Sequence, residues 1–278
     1  MIRLLTHKSE KGEPLSKEMG LLDHIEELRS RLVKILASVV AITLFVFLFG
    51  IKEFNLDSLR IYLPFPDVYN NISAQFIERM KEDLLPDYVQ LIVTSPAQAI
   101  LAQFSTSIFL GIVFSMPIIV YQIGKFVNPA LYPSERRMIL KIIVPATILF
   151  SLGCIFSYLL VTPFTLDFLY QYGIALGAQT FITLDDLISF VILFTLAFGL
   201  SFQLPIIMVM LTSLGVVDAK FWRKNFSYAV VGIVIFGAII TPDTSGITMW
   251  FVAVPMIILY VIGYLFIRRK VKVKPQAN

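Results

Sequence analysis

IIVPATILFSLGCIFSYLLVTPFTL, residues 142–166, is a run of 25 residues without a single charge. A helix rises 1.5 Å per residue and the hydrocarbon core of a bilayer is ~30 Å thick, so about 20 mostly apolar residues make one span. Five further uncharged runs accompany it: 35–51 (17 residues), 88–124 (37), 187–217 (31), 225–242 (18) and 244–267 (24). Lipid offers the backbone no hydrogen-bond partner, whereas a helix satisfies its own N–H and C=O groups. The expected fold is therefore all-α, a polytopic membrane protein with six transmembrane helices.

The composition agrees. Of 278 residues, 57% are apolar and only 15% charged, with a mean hydropathy of +0.81. A soluble domain is about a quarter charged, and disordered chains are poor in apolar residues, so both classes are excluded. Two spans inside 88–124 would need a hairpin with almost no turn, so one long helix that tilts or projects is expected there. Runs 225–242 and 244–267 are joined by a short turn and read as a tight helical hairpin.

Charge sets the expected orientation. Segments 1–34, 125–141, 218–224 and 268–278 hold 19 of the 23 Lys/Arg and net +11; the intervening segments hold Lys52, Arg60, Arg79 and Lys81 against 11 acids and net −7. Lys/Arg favour the cytoplasmic side, which puts both termini in the cytoplasm and the chain in the cell membrane as a multi-pass protein. Residues 1–34 carry six acids and no small-x-small site follows the first run, so no cleaved signal is expected. The expected parts are an N-terminal cytoplasmic segment 1–34 with an amphipathic helix, one six-helix domain 35–267, and a basic tail 268–278. In the outer loop 52–87, Val68, Ile72, Phe76, Met80 and Leu84 recur every four residues. With Asp67 as N-cap they predict a surface helix of about 18 residues.

Chemistry-bearing residues are few. One cysteine (Cys154) and two histidines (His7, His24) exclude a thiolate or imidazole metal cluster, and no phosphate loop, HExxH or GxSxG is present. No cofactor, metal, catalytic residue or nucleic-acid partner is expected, and the chain reads as not an enzyme. Three stretches stand out nonetheless. Leu15, Met19, Leu22, Ile25, Leu28, Leu32 and Ile35 predict a helix lying along the membrane before turning into span one. On it, Glu27 and Arg31 are spaced i,i+4, a pair worth ~0.5 kcal/mol or less if merely solvated; the sharper reading presents the Glu27 carboxylate at the inner leaflet. In the segment Tyr121–Arg137, Pro129 and Pro133 prevent a continuous helix, Pro133 fits the first turn of span three, and Glu135 sits where a helix start favours an anion. In span four, Gln203 lies two residues before Pro205; such an amide bonds another helix or proline-freed backbone, or docks a foreign helix. Asp243, in Thr241-Pro242-Asp243-Thr244-Ser245, reads as a turn residue.

These stretches together resemble one family. His24-x-Glu26-Glu27-Leu28-Arg29, Phe126…Pro129-Ala130-Leu131-Tyr132…Glu135-Arg136-Arg137, Phe198-Gly199…Phe202-x-x-Pro205 and Thr241-Pro242…Ala253-Val254-Pro255 are similar to TatC, the core of the twin-arginine (Sec-independent) protein translocase. The resemblance runs from Gly20 to Ile267. It implies a receptor for signal peptides with consecutive arginines on folded cargo, with Glu27 and Glu135 binding the guanidiniums and Arg29, Gln122, Phe126, Pro129, Leu131 and Tyr132 around them. It also implies TatA/TatB-like single-span partners docking at Gln203 and Pro205, self-association in a larger complex, a bilayer environment, and energy from the proton gradient. Three departures accompany it. Gln203 stands where the family often has a glutamate, segment 52–87 is longer and matches no family motif, and the turn after Pro242 lacks the second proline of many relatives.

Readings from other classes fare worse. A small-solute secondary transporter needs a polar or charged mid-membrane site, yet no Asp, Glu, Lys, Arg or His lies in any of the six runs. An intramembrane enzyme lacks a base for the same reason.

Overall fold

The computed structural model describes residues 21–56, 59–127, 136–241 and 246–270. Among them are the helices α1 (Leu21–Leu48), α2 (Ile72–Leu84), α3 (Gln98–Val127), α4 (Arg136–Phe156), α5 (Thr162–Ala175), α6 (Leu184–Ser201), α7 (Leu204–Ser213), α8 (Ala219–Lys224), α9 (Phe226–Ile240) and α10 (Ile247–Lys270). Four short strands make the chain mostly, not wholly, helical. β1 (Phe49–Leu56) and β2 (Leu59–Pro66) form an antiparallel hairpin, and β3 (Gln90–Ile92) runs parallel to β4 (Phe181–Thr183).

Helix α6 is the centre of the bundle. Leu187, Ile188, Val191, Phe194 and Phe198 are each at most 1% exposed, and their spacing of three and four puts them on neighbouring faces. By contrast, Leu32, Leu36, Val40, Leu44 and Leu48 form an exposed apolar stripe along α1, a surface suited to hydrocarbon. Five stretches are long and apolar enough to cross a membrane: His24–Leu48, Gln98–Phe126, Ile142–Ala175, Leu184–Ser213 and Ile247–Arg269. The expected count of six is thus not met by length, because the sixth, α9, is only 15 residues. Asn225 and Thr241 at its two ends leave helical geometry, which shortens the 18-residue run.

Helix ends depart from the uncharged runs in instructive places. No break in helical structure marks the expected boundary at 34/35: α1 runs continuously from Leu21 to Leu48. Likewise α10 runs past 267/268 to Lys270. The run 88–124 is not one helix, because Pro96 forces the residue before it out of helical geometry and α3 starts at Gln98. The Gln98 Oε1 accepts from the Thr94 N–H at 2.8 Å, and the freed residues supply β3. Before Pro163 the chain widens into a π-helical turn, Ser157–Val161, which accommodates the missing N–H. Pro205 opens α7, leaving Phe202 and Gln203 as a break in span four.

The segment 52–87 differs most from expectation. Its helix, α2, has 13 residues and is capped by Asn71, not Asp67. Asp67 instead closes a turn: its Oδ1 accepts from the N–H groups of Tyr69 and Asn70, while Oδ2 pairs with Lys52 Nζ at 3.0 Å. The Asn70 N–H, then Lys52, hold this carboxyl below its ordinary range. Asn71 is fully buried and serves two helices. Its Oδ1 accepts from Ala74 N (2.8 Å) and its Nδ2 donates to the Phe47 carbonyl (2.9 Å) near the end of α1, a carbonyl that the helix itself leaves unpaired. Asn71 is therefore a structural joint with its amide occupied. Asn71→Ala removes a cap worth ~0.5–2 kcal/mol and orphans a carbonyl at ~1–3 kcal/mol. A loss of about 2–4 kcal/mol is expected, read as a lowered thermal midpoint in detergent.

Candidate functional site

The start of α1 meets the end of α3. Glu27 Oε1 accepts from Arg31 Nη2 at 2.9 Å, and the two side chains are 17% and 21% exposed. Arg31 Nη1 reaches across to the Gln122 Oε1 on α3 at 3.2 Å, so the guanidinium is pinned between helices. One turn away the His24 ring stacks on Phe126, centroids 4.6 Å apart and planes at 23°. Lys125 turns to Tyr121, its Nζ 4.5 Å from the ring centroid, in cation–π geometry.

This arrangement leaves one group unsatisfied. The second oxygen of Glu27, Oε2, is buried and has no partner among the described residues. A carboxylate offers about four lone-pair sites, and leaving a buried one empty costs ~1–3 kcal/mol. Arg31 therefore acts as a brace: it fixes one oxygen and orients the other. A planar cationic fork brought to Oε2 would form a short, charge-assisted bond. The pair is thus neither the solvated i,i+4 bridge nor the free carboxylate that the sequence offers as alternatives.

Several predicted residues are brought together here and others are not. Glu27, Gln122 and Phe126 share the site, with Arg31 and His24 completing it. Arg29 is exposed, and two residues along a helix do not share a face, so it points away from Glu27. Pro129, Leu131, Tyr132 and Glu135 lie outside the described residues, as do Pro133, Pro242 and Asp243. The i,i+4 spacing announced the Glu27–Arg31 pair; nothing in the sequence announced the Arg31–Gln122 bond, across 91 positions.

A groove begins beside this site, at Ile123 and Gly124, and runs between α3, α4 and the α6–α7 break. It encloses about 690 Å³, and among the described residues Gln203 is its only polar lining side chain, beside residues such as Met116, Ile143, Phe150, Leu200 and Met210. Gln203 Nε2 donates to the Ala146 carbonyl of α4 at 3.1 Å, the bond to another helix expected of an amide in lipid. Pro205 does not line the groove; it packs on α10, where a Cβ on Gly263 would stand 3.1 Å from its Cα. Helices α4 and α6 close the groove by near contact of Gly153 and Gly199. A Cβ on Gly153 would lie 2.7 Å from the Phe198 carbonyl oxygen, so any larger residue would wedge the helices apart.

Known proteins resemble this chain in sequence and fold. The family model described as "Sec-independent protein translocase protein (TatC)" matches residues 23–255. The TatC protein of Cenarchaeum symbiosum is 44% identical over 261 residues, covering 94% of this chain and 99% of its own. That of Deinococcus radiodurans is 34% identical, with 89% and 85% covered, and that of Escherichia coli K12 is 30% identical, with 89% and 88% covered. A crystal structure titled as a twin arginine translocase receptor, TatC, superposes with a TM-score of 0.72 at 29% identity, covering 88% of this chain and 98% of that one.

Proposed function

This chain belongs to the TatC family of Sec-independent protein translocase proteins, and we propose that it is the receptor that binds paired-arginine signal peptides on folded cargo. The observation that carries this reading is the Oε2 of Glu27, buried and without a partner among the described residues, on a carboxylate braced by Arg31, which Gln122 holds, beside an apolar groove. A signal peptide combines a basic head with an apolar stretch, and that combination fits a carboxylate adjoining a groove. One guanidinium takes Glu27 and the second takes Glu135. Arginine is favoured over lysine because its fork meets a carboxylate bidentately and is more weakly hydrated. Phe126, Pro129, Leu131 and Tyr132 bound the peptide, and Arg29 faces the headgroups nearby.

In this reading the chain crosses the cell membrane six times with both termini cytoplasmic, and α9 crosses with the bilayer thinned around it. The β1–β2 hairpin and α2 then lie outside. Transport draws on the proton gradient and on TatA/TatB-like single-span subunits that assemble on several copies of the chain. Gln203 is the docking point for such a helix, exchanging its Ala146 bond for one to the newcomer, with Pro205 setting the break that exposes it. Gln203→Leu is expected to lower partner crosslinking and transport several-fold while the chain still folds; unchanged crosslinking and transport would remove Gln203 from this role.

The test is export in cells whose own TatC has been deleted. A folded fluorescent reporter with an Arg-Arg signal is expected to cross only when this chain is supplied with its partners, and to stay inside when the signal carries Lys-Lys or a protonophore is added. Export indifferent to the arginine pair would overturn the receptor reading.

A further inference from the structure

At the end of the bundle that holds the start of α1 and the close of α10, a second recess lies between α8, α9 and α10. It encloses about 250 Å³ and is lined by Trp222, Arg223, Phe226, Tyr260, Val261 and Tyr264. Two hydrogen bonds build it: Trp222 Nε1 donates to Thr212 Oγ1 at 2.9 Å, and Tyr260 Oη donates to the Trp222 carbonyl at 2.8 Å. The Trp222 and Tyr260 rings meet edge to face with centroids 6.2 Å apart, and Phe226 packs on Tyr260 at 5.7 Å. The walls are therefore aromatic and fixed. Arg223 is the only charged lining residue, and it forms no ion pair among the described residues. Exposed Lys220 and Lys224 flank it, and Arg268 lies one turn beyond Tyr264 on α10; Asp218 is the one acid on this segment.

A second observation concerns length. Helix α9, which starts at this recess, has 15 residues and reaches about 22 Å, short of the ~30 Å hydrocarbon core. Beside a short helix the bilayer thins, and headgroups are drawn inward. Free cations standing above an aromatic slot at that point match an anionic headgroup above an acyl chain.

We propose that this recess is a binding site for an anionic phospholipid, its phosphate on Arg223 with Lys220 and Lys224, and its upper acyl chain against Trp222, Phe226, Tyr260 and Tyr264. Bound there, the lipid matches the short α9 to the membrane. The assignment rests on the membrane placement of the preceding reading, but not on peptide binding.

The chain's two tryptophans make the test direct. In a Trp250→Phe background, Trp222 alone fluoresces, and the full-length protein is titrated in mixed micelles with brominated phosphatidylglycerol or brominated phosphatidylcholine. Phosphatidylglycerol is expected to quench at about fivefold lower mole fraction, the scale of one basic side chain near an anionic lipid. Arg223→Ala should abolish that preference, and Arg60→Ala, on the hairpin, should leave it intact. Equal quenching by both lipids, or a preference that survives Arg223→Ala, would overturn the proposal. Relief of quenching by millimolar inorganic phosphate would overturn it too, since the site would then take a free anion. Absence of quenching by either lipid would overturn the membrane placement along with it.

Discussion

Gly111→Leu is expected to separate α1 from α3 and to break up the Glu27–Arg31–Gln122 site between them. The two helices approach so closely at Gly111 that a Cβ there would collide with Thr43 Oγ1 and stand 3.1 Å from the Val39 carbonyl oxygen. Those obstacles include backbone, which cannot rotate away, so the helices themselves must move. Overpacking a core costs ~1–3 kcal/mol when side chains can yield, and here the cost lies at or above the top of that range. The Arg31–Gln122 bond spans the same interface, so α1 carries Glu27 away with it. Gly232 is the control: a Cβ there meets nothing within 4 Å, and Gly232→Ala should stabilise α9 by about 0.5–1 kcal/mol through helix propensity. Opposite shifts in thermal midpoint are expected in detergent, with tryptophan emission following the unfolding. Equal tolerance of both substitutions would mean that α1 and α3 are not locked at Gly111.

The second large effect concerns Glu27. Glu27→Gln preserves shape but removes the charge that Arg31 uses and that an incoming guanidinium would use in the proposed function. A hydrogen bond to a charged group contributes ~1.5–3 kcal/mol, so affinity for an Arg-Arg peptide should fall about 10- to 150-fold, at ~1.4 kcal/mol per factor of ten. Arg31→Ala is expected to act differently. It frees Oε1 and raises the local negative charge, yet removes the brace to Gln122, so any gain in attraction is opposed by lost orientation. The comparison separates charge from geometry: a peptide bound only by diffuse attraction would bind Arg31→Ala more tightly, whereas an oriented carboxylate predicts weaker binding. Peptide titration of the two variants, side by side with the native chain, decides it.

The five stretches long and apolar enough to cross a membrane lie on five of the six uncharged runs, because hydrocarbon thickness is a fixed ruler; the sixth run gives only the 15-residue α9. Their ends depended on local chemistry that the runs do not display. Phe49-Gly50-Ile51 continues an apolar run yet leaves the helix and opens β1, where the absence of a Cβ on Gly50 lets the Asn70 carbonyl approach. Pro64 and Pro66 both sit on β2, a two-stranded hairpin being all edge and so tolerant of proline. The sequence points to Asp67 as the cap of α2, but Asn71 takes that place, because its amide also bonds the Phe47 and Val68 carbonyls and the Ala74 N–H, contacts that no local pattern displays. At the site, Glu27 and Arg31 announced each other along one helix. Their bond to Gln122, and the stack of His24 on Phe126, come from the packing of α1 on α3, which no local pattern encodes. Of the readings the sequence leaves open for Gln203, the structure contains the bond to another helix, at the Ala146 carbonyl, since lipid leaves a lone amide few partners.

The most direct test of the account is a four-way titration of purified protein in nanodiscs: Arg-Arg and Lys-Lys signal peptides, each against the native chain and Glu27→Ala. If Glu27 reads the arginine fork, replacing arginine by lysine weakens binding to the native chain at least several-fold. The same replacement then has a much smaller effect on Glu27→Ala, so the two changes are not additive. An arginine-to-lysine penalty of the same size in both proteins would contradict the account, and would leave Glu27 as a brace for Arg31 with no part in recognition.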